Sequence, residues 1–403
     1  MVCTLSCSCS FVTRWIWLSF LLILSSVMTA NDGQKRKLHF VTFSDTMPHP
    51  GLCLLAEAIV EYGGLLWVLG LSKPSGYLII QNHSPTLKFL WLQEFMEYEM
   101  STGRVSPDDL LIFVDGHDVL LQRPLSELVE AYERWPDSPY LISGEANCWP
   151  WPHSDPSHGD WDPGMAIDSN RSWIINRWLR LGVMDFCRVV DKRGPYPFPN
   201  IGMSMGPVSR FLKVLELNNR IVLDEDMNDQ GTMWIVILRH ALELNIQIDQ
   251  NAEVFMNMLQ AEGHLERDIC GDDYFESNEG ASSEGAHGIP PKNILTQTVP
   301  KLLHFNGPAH EDDIWPKCFR LFDKEFHIAG VGHRLKDIDH NILIATDQLC
   351  DYSFYDMDDF HVHPLSQHAV AFIKQLRSMP LDPGLLKWRG NNSPVDLIRW
   401  GSE

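Results

Sequence analysis

"LLIFVDGHDVLLQRP", residues 110–124, runs five apolar residues into Asp115 and Asp118 and then turns apolar again. A short apolar run of this kind, closed by turn residues, reads as a buried strand, with the two acids at its end and Gly116 and His117 between them. An isolated buried carboxylate is costly, so such groups are neutralised, paired or bound to a cation. On these residues alone two readings stand: a strand-end turn whose Asp side chains bind nearby backbone amides, and a divalent cation held by hard oxygen ligands.

Around this stretch strand-like runs alternate with helical patterns. "LHFVTFS" (38–44) and "LLWVLGL" (65–71) read as strands, with "GLCLLAEAIVEYGG" (51–64) between them as a helix ended by glycine. "SPTLKFLWLQEFMEYEM" (84–100) reads as a helix capped by Ser84 with Pro85 next, and "DDLLIFVDG" (108–116) as a third strand. "SELVEAYERW" (126–135) and "YLISGEA" (140–146) add a helix and a strand. Beyond them, 200–217 reads as a short strand and a helix, 228–242 as an apolar helix, 245–249 as a strand, and 299–308 as a last strand ending in a turn. This alternation implies an α/β domain with a mostly parallel sheet and helices on both faces. Ligands in such sheets sit beyond the carboxyl ends of the strands, where Asp115 and Asp118 fall. "NCWPWPHSDPSHGDWDPG" (147–164) reads as a long ordered loop and 276–292 as a flexible one. After Phe322 the alternation fades, so the main domain is expected over 36–322 and a C-terminal extension over 323–403.

The ends and the charge narrow the class. The formal net charge of −21 argues against a generic nucleic-acid binder, which needs a basic patch to neutralise phosphates. Residues 1–30 hold one arginine, an apolar run over 15–28 and small residues ending at Ala30. That run is shorter than a spanning helix requires and reads as a signal peptide or, with Lys35, Arg36 and Lys37 behind it, as a short signal anchor. Either puts the remainder in the secretory pathway, in the lumen of the endoplasmic reticulum or Golgi or outside the cell, with the membrane met only through such an anchor. Beyond the leader stand Cys53, Cys148, Cys187, Cys270, Cys318 and Cys350, an even set that suits disulfides in an oxidising lumen. Asn82, Asn170 and Asn391 head glycosylation sequons, making the chain a candidate glycoprotein.

A second strand end carries chemistry. "LLHFNGP" places His304, Asn306 and Gly307 after an apolar run, so that an imidazole and a tight turn face the same rim as the aspartates. The plain alternative is a hairpin turn after a core strand. A histidine joining two carboxylates suits Mn²⁺ better than Mg²⁺, because imidazole is the softer ligand.

"FVDGHDV", "EANCWP", "NIGMSMG", "NDQ" and "HFNGP" occur in that order, with Lys88 on the helix before the third strand. In this ordered set the chain resembles the glycosyltransferase domain of the procollagen lysyl hydroxylase and glucosyltransferase family, related to the collagen galactosyltransferases, over roughly residues 38–320. The resemblance implies a GT-A type, Rossmann-like nucleotide-sugar-binding fold and a hexosyltransferase that uses Mn²⁺. It would move glucose or galactose from UDP-glucose or UDP-galactose to hydroxylysine or galactosyl-hydroxylysine of a collagen-like protein. It also implies that Asp115, Asp118 and His304 bind the metal. Asn306 and Gly307 would lie against the diphosphate, Lys88 and Trp149 would line the donor site, and Asn200 and Gly202 match a further binding motif. The acidic stretch from Asp224 to Asp229, with Asp226 and Asp229 as catalytic carboxylates, would face the transferred sugar.

Three departures from the family pattern lie near that chemistry. Met227 and Asn228 interrupt the acidic run, Ile201 replaces a serine between Asn200 and Gly202, and Ala309 and His310 stand where Thr-Lys is usual. They support an alternative in which a degenerate domain binds UDP-sugar without transferring it. A third reading, an iron and 2-oxoglutarate dioxygenase, rests on His158 with Asp160 and His310 with Asp312, both in loop-like stretches without the many short strands that such a fold needs. His361 and His363, in "HVHP", read as a surface strand or loop.

Overall fold

In the computed structural model the described residues are 36–44, 50–71, 87–148, 192–221, 229–266, 290–307, 334–337, 342–345, 375, 378–380, 382 and 383. The chain opens with β1 (Leu38–Phe43), α1 (Pro50–Glu61), β2 (Leu66–Leu69), α2 (Leu87–Ser101) and β3 (Leu110–Asp115). There follow β4 (Val119–Leu121), α3 (Leu125–Glu133), β5 (Tyr140–Glu145), β6 (Phe198–Pro207), α4 (Val208–Ile221), α5 (Asp229–Leu244) and β7 (Ile246–Asp249). β8 (Phe255–Asn257), β9 (Leu302–His304), β10 (Arg334–Asp337) and β11 (Ile342–Ala345) complete it.

Eight strands form one sheet in the order β11-β10-β2-β1-β3-β6-β5-β7. β10, β2, β1, β3, β5 and β7 run one way, while β6 and β11 run against them. The α/β class and the mostly parallel sheet expected from the sequence are thus present. Along β3 the side chains alternate between two cores: Leu110, Ile112 and Val114 join α1, α3 and the short strands, whereas Leu111 and Phe113 join α2, α4 and α5. That is why the strand reads as a continuous apolar run, since a sheet covered on both faces needs apolar residues at every position. Each such side chain contributes roughly 1.5–3 kcal/mol on burial.

β1 connects to β2 on one side and its other neighbour is β3, so the sheet changes winding direction between β1 and β3. Crevices at such switch points, outside the carboxyl ends, are where open α/β sheets bind ligands. Phe43 at the end of β1 pairs with Asp115 at the end of β3. Just past them His117 Nε2 lies 3.1 Å from Ser44 Oγ, holding the turn after β3 against the end of β1.

A second, three-stranded sheet in the order β4-β9-β8 meets this rim. β9 runs antiparallel to β4 and parallel to β8, pairing His304 with both Val119 and Asn257. β6 carries an irregularity: its pairing with β5 steps from Ile142↔Ser204 to Ser143↔Asn200, and Ile201, Gly202 and Met203 fall in the step. Bulges of this kind re-aim side chains and cluster beside functional sites.

The stretch after Phe322, where the sequence shows no alternation, supplies β10 and β11, and β10 pairs in parallel with β2. Those strands belong to the main sheet, so its edge lies beyond the boundary expected at 322. Cys53 on α1 and Cys148 after β5 are disulfide-bonded. Among the described residues no helix is long and apolar enough to cross a membrane.

Candidate metal and nucleotide site

Asp115 closes β3, Asp118 directly precedes β4, and His304 closes β9. The three offer one ligand atom each, all within 4.8 Å of one another. His304 Nε2 stands 3.4 Å from Asp118 Oδ2 and 3.7 Å from Asp115 Oδ2. The aspartates are half-buried and the imidazole is buried. Burial works against a charged imidazole, but Asp118 and then Asp115 outweigh it and raise the His304 pKa above its ordinary value.

The other ring nitrogen fixes the tautomer. His304 Nδ1 lies 2.8 Å from Asn257 Oδ1, while the Asn257 amide nitrogen donates to Ser143 Oγ at 3.1 Å and to the Gly144 carbonyl at 2.9 Å. With its NH₂ committed to two acceptors, Asn257 presents oxygen to the ring, so Nδ1 is the protonated nitrogen and Nε2 faces the carboxylates. Metal-binding histidines are oriented by a second hydrogen bond of this kind.

Gly202 makes the room. A Cβ at this position would sit 2.1 Å from His304 Cε1, 2.6 Å from His304 Nδ1 and 2.9 Å from Asp115 Oδ2. Two carboxylates and a tautomer-fixed imidazole, gathered in space that only a glycine leaves open, fit a divalent cation of the oxygen- and imidazole-binding kind. The acids at the end of β3 are thus drawn together with a histidine from another sheet, in a group that could hold a metal ion.

Lys88, on the first turn of α2, reaches the same place. Its buried ammonium lies 3.0 Å from Asp115 Oδ1 and 2.9 Å from Asp229 Oδ2. Burial opposes the charge, but Asp115 and Asp229 outweigh it and hold the lysine above its ordinary range. Asp229 opens α5, where its Oδ1 accepts the backbone N–H of Gln230 at 2.9 Å. A carboxylate at a helix N-terminus also gains from the helix dipole.

The remaining predicted residues line a polar floor. Asn200 and Asn306 each donate their amide N–H to Glu145 Oε2, at 3.1 Å and 2.9 Å. Their oxygens accept the backbone N–H of Gly202 at 2.8 Å and of Leu259 at 3.2 Å. Both ends of the Asn306 amide therefore bond inside the protein, and it holds the turn in which Gly307 adopts φ +61°, a conformation suited to glycine. Glu145 is 1% exposed and accepts a third bond, 2.8 Å, from Gln230 Nε2. Burial pushes its carboxyl up to about 7, against the amide donors and the charge of His304.

Sequence reading singles out neither Glu145 nor Asn257. Glu145 carries a signal as a carboxylate ending an apolar strand, the same signal as Asp115; Asn257 lies in a three-residue strand and carries none. Trp149, Asp224, Asp226, His158, Asp160, His310, Asp312, His361 and His363 lie outside the described residues.

No family model and no curated protein matches the chain. Among solved structures, the crystal structure of mouse xyloside xylosyltransferase 1 in its apo form is similar to it, with 10% sequence identity and a TM-score of 0.32, covering 68% of this chain and 99% of that one.

Proposed function

We propose that this protein is a metal-dependent glycosyltransferase that takes a hexose from a UDP-sugar. The observation that carries the proposal is the convergence of Asp115, Asp118 and His304 at the switch point of an α/β sheet. The ordered motifs of the resemblance support the finer reading: Mn²⁺ as the cation, UDP-glucose or UDP-galactose as donor, and hydroxylysine or galactosyl-hydroxylysine of a collagen-like chain as acceptor. The leader and the even cysteine set support work in the lumen of the secretory pathway.

Transfer breaks the bond from the anomeric carbon to the diphosphate and forms one to an acceptor hydroxyl, whose proton must be taken up. A divalent cation on the triad would supply Lewis-acid stabilisation of the departing diphosphate. Lys88 adds a fixed positive charge beside Asp115, already held in place by its two carboxylates. Preorganised charge of this kind costs no reorganisation as the leaving group develops. Asp229, paired with Lys88 at 2.9 Å, would face the positive charge that develops on the sugar or accept the acceptor's proton.

Isothermal titration of UDP into the full chain with and without Mn²⁺, beside Asp118→Ala, tests the reading. The metal is expected to tighten UDP binding by at least about tenfold in the parent, and the substitution to remove most of that gain. Equal metal dependence in both proteins would overturn it. Met227, Asn228, Ala309 and His310 favour a second reading, UDP-sugar binding without transfer; hydrolysis of UDP-glucose and UDP-galactose with Mn²⁺ separates the two.

A further inference from the structure

Glu145 has no part in the chemistry above, yet its contacts run to every side of the site. On one side Oε2 holds Asn200, whose oxygen fixes the Gly202 amide, and Gly202 abuts His304 and Asp115. The same oxygen holds Asn306 and with it the turn at Gly307. On the other side Oε1 holds Gln230, next to Asp229, which pairs with Lys88, which pairs with Asp115. The contacts close into a ring: Glu145, Asn200, Gly202, Asp115, Lys88, Asp229, Gln230 and back to Glu145.

We infer that Glu145 is a positioning residue that sets the diphosphate side and the sugar side of the donor site against each other. The inference rests on the donor-site reading proposed above. Its two oxygens divide the task. Oε2 gathers two side-chain amides from β6 and the turn after β9, and Oε1 takes one from the start of α5. A carboxylate suits the position because it accepts on both oxygens, and all three groups that meet it are N–H donors. Glutamine keeps the shape and one acceptor oxygen, so it can retain the pair of asparagines while Gln230 turns its amide over.

The test compares the full-length parent with Glu145→Ala, Glu145→Gln and Gln230→Met in three measurements. These are Mn²⁺ affinity without nucleotide, UDP affinity at saturating Mn²⁺, and the rate of UDP-sugar hydrolysis. Glu145→Ala should keep Mn²⁺ affinity within about threefold, because the triad is intact, while UDP affinity falls about tenfold and the rate about a hundredfold. Glu145→Gln should recover most of the UDP affinity. Gln230→Met, which cuts only the Oε1 arm, should lower the rate about tenfold and leave UDP affinity within about twofold.

A common factor across all three measurements in Glu145→Ala would mean general loosening and would overturn the inference, as would no change in any. If Glu145→Ala does not fold, Gln230→Met decides: an unchanged rate, or equal losses in rate and affinity, overturns it. If the parent hydrolyses neither donor, UDP affinity set against Mn²⁺ affinity in Glu145→Ala and Glu145→Gln decides in the same way. A parent without metal-strengthened UDP binding removes the donor-site reading itself; a parent that has it, with variants that fail the pattern, removes only the role of Glu145.

Discussion

β5 and β7 are neighbouring parallel strands, and each ends in a buried acid, Glu145 and Asp249. Both carboxyls are pushed up by burial, to about 7 and about 6, and both accept three N–H donors. The donors differ. Asp249 takes the backbone N–H groups of Glu253, Val254 and Phe255, at 2.7–2.9 Å and four to six residues away. Glu145 takes side-chain amides that lie 55, 85 and 161 positions away. The first arrangement closes one turn between β7 and β8; the second ties together three separate parts of the chain. A buried carboxylate thus serves architecture or site according to where its donors come from.

The sharpest way to break this contrast is Asp249→Ala. It strands three backbone N–H groups, each costing about 1–3 kcal/mol, so a loss of at least about 3 kcal/mol is expected in denaturant unfolding. Metal-dependent UDP affinity per folded molecule should stay within about twofold, because the three stranded amides belong to residues 253–255 while Asn257, further along, orients the His304 ring. A well-folded Asp249→Ala that no longer bound UDP would erase the distinction.

Gly202→Ala should do the reverse. Its Cβ has no room beside His304 and Asp115, so the imidazole must move. Mn²⁺ affinity, read by electron paramagnetic resonance, should fall about 10- to 100-fold, which corresponds to about 1.4–2.8 kcal/mol. Global stability should change less than in Asp249→Ala. The smallest of the three effects is expected for Asn257→Ala, which frees the His304 ring without crowding it: about a tenfold loss of Mn²⁺ affinity. Unchanged affinity there would show that β9 and the aspartates orient the ring without Asn257.

Much of the frame was legible from residues. β1, β2, β3 and β5 announce themselves because a sheet buried on both faces favours mainly apolar runs, β7 through the alternation of Ile246, Gln247 and Ile248, and α1, α2, α4 and α5 through their apolar patterns. The two acids and the histidine are legible because each borders an apolar run, Asp115 and His304 at its end and Asp118 at its start. β4, β8 and β9 are three residues long, too short to establish an alternation. Of these, β9 was read only as part of a longer strand. β10 and β11 are short strands at one side of the sheet; β10 pairs with β2, more than 260 positions earlier in the chain, and β11 pairs with β10. The direction of β6 was hidden because strand sense is a property of pairing and not of composition. Glu145 is not legible in the sequence as a site residue, since an acid at a strand end also suits a solvated turn; the three amides brought to it from afar reveal its place.

The step in β6 has a consequence for how this chain can vary. Side chains on a strand change face with every residue, so three residues inserted opposite β5 shift the phase of everything on one side relative to the other. Deleting any one of Ile201, Gly202 or Met203 would leave every polar side chain of the floor in the chain and still turn Asn200 away from Glu145. At this point the length of the strand matters as much as its residues.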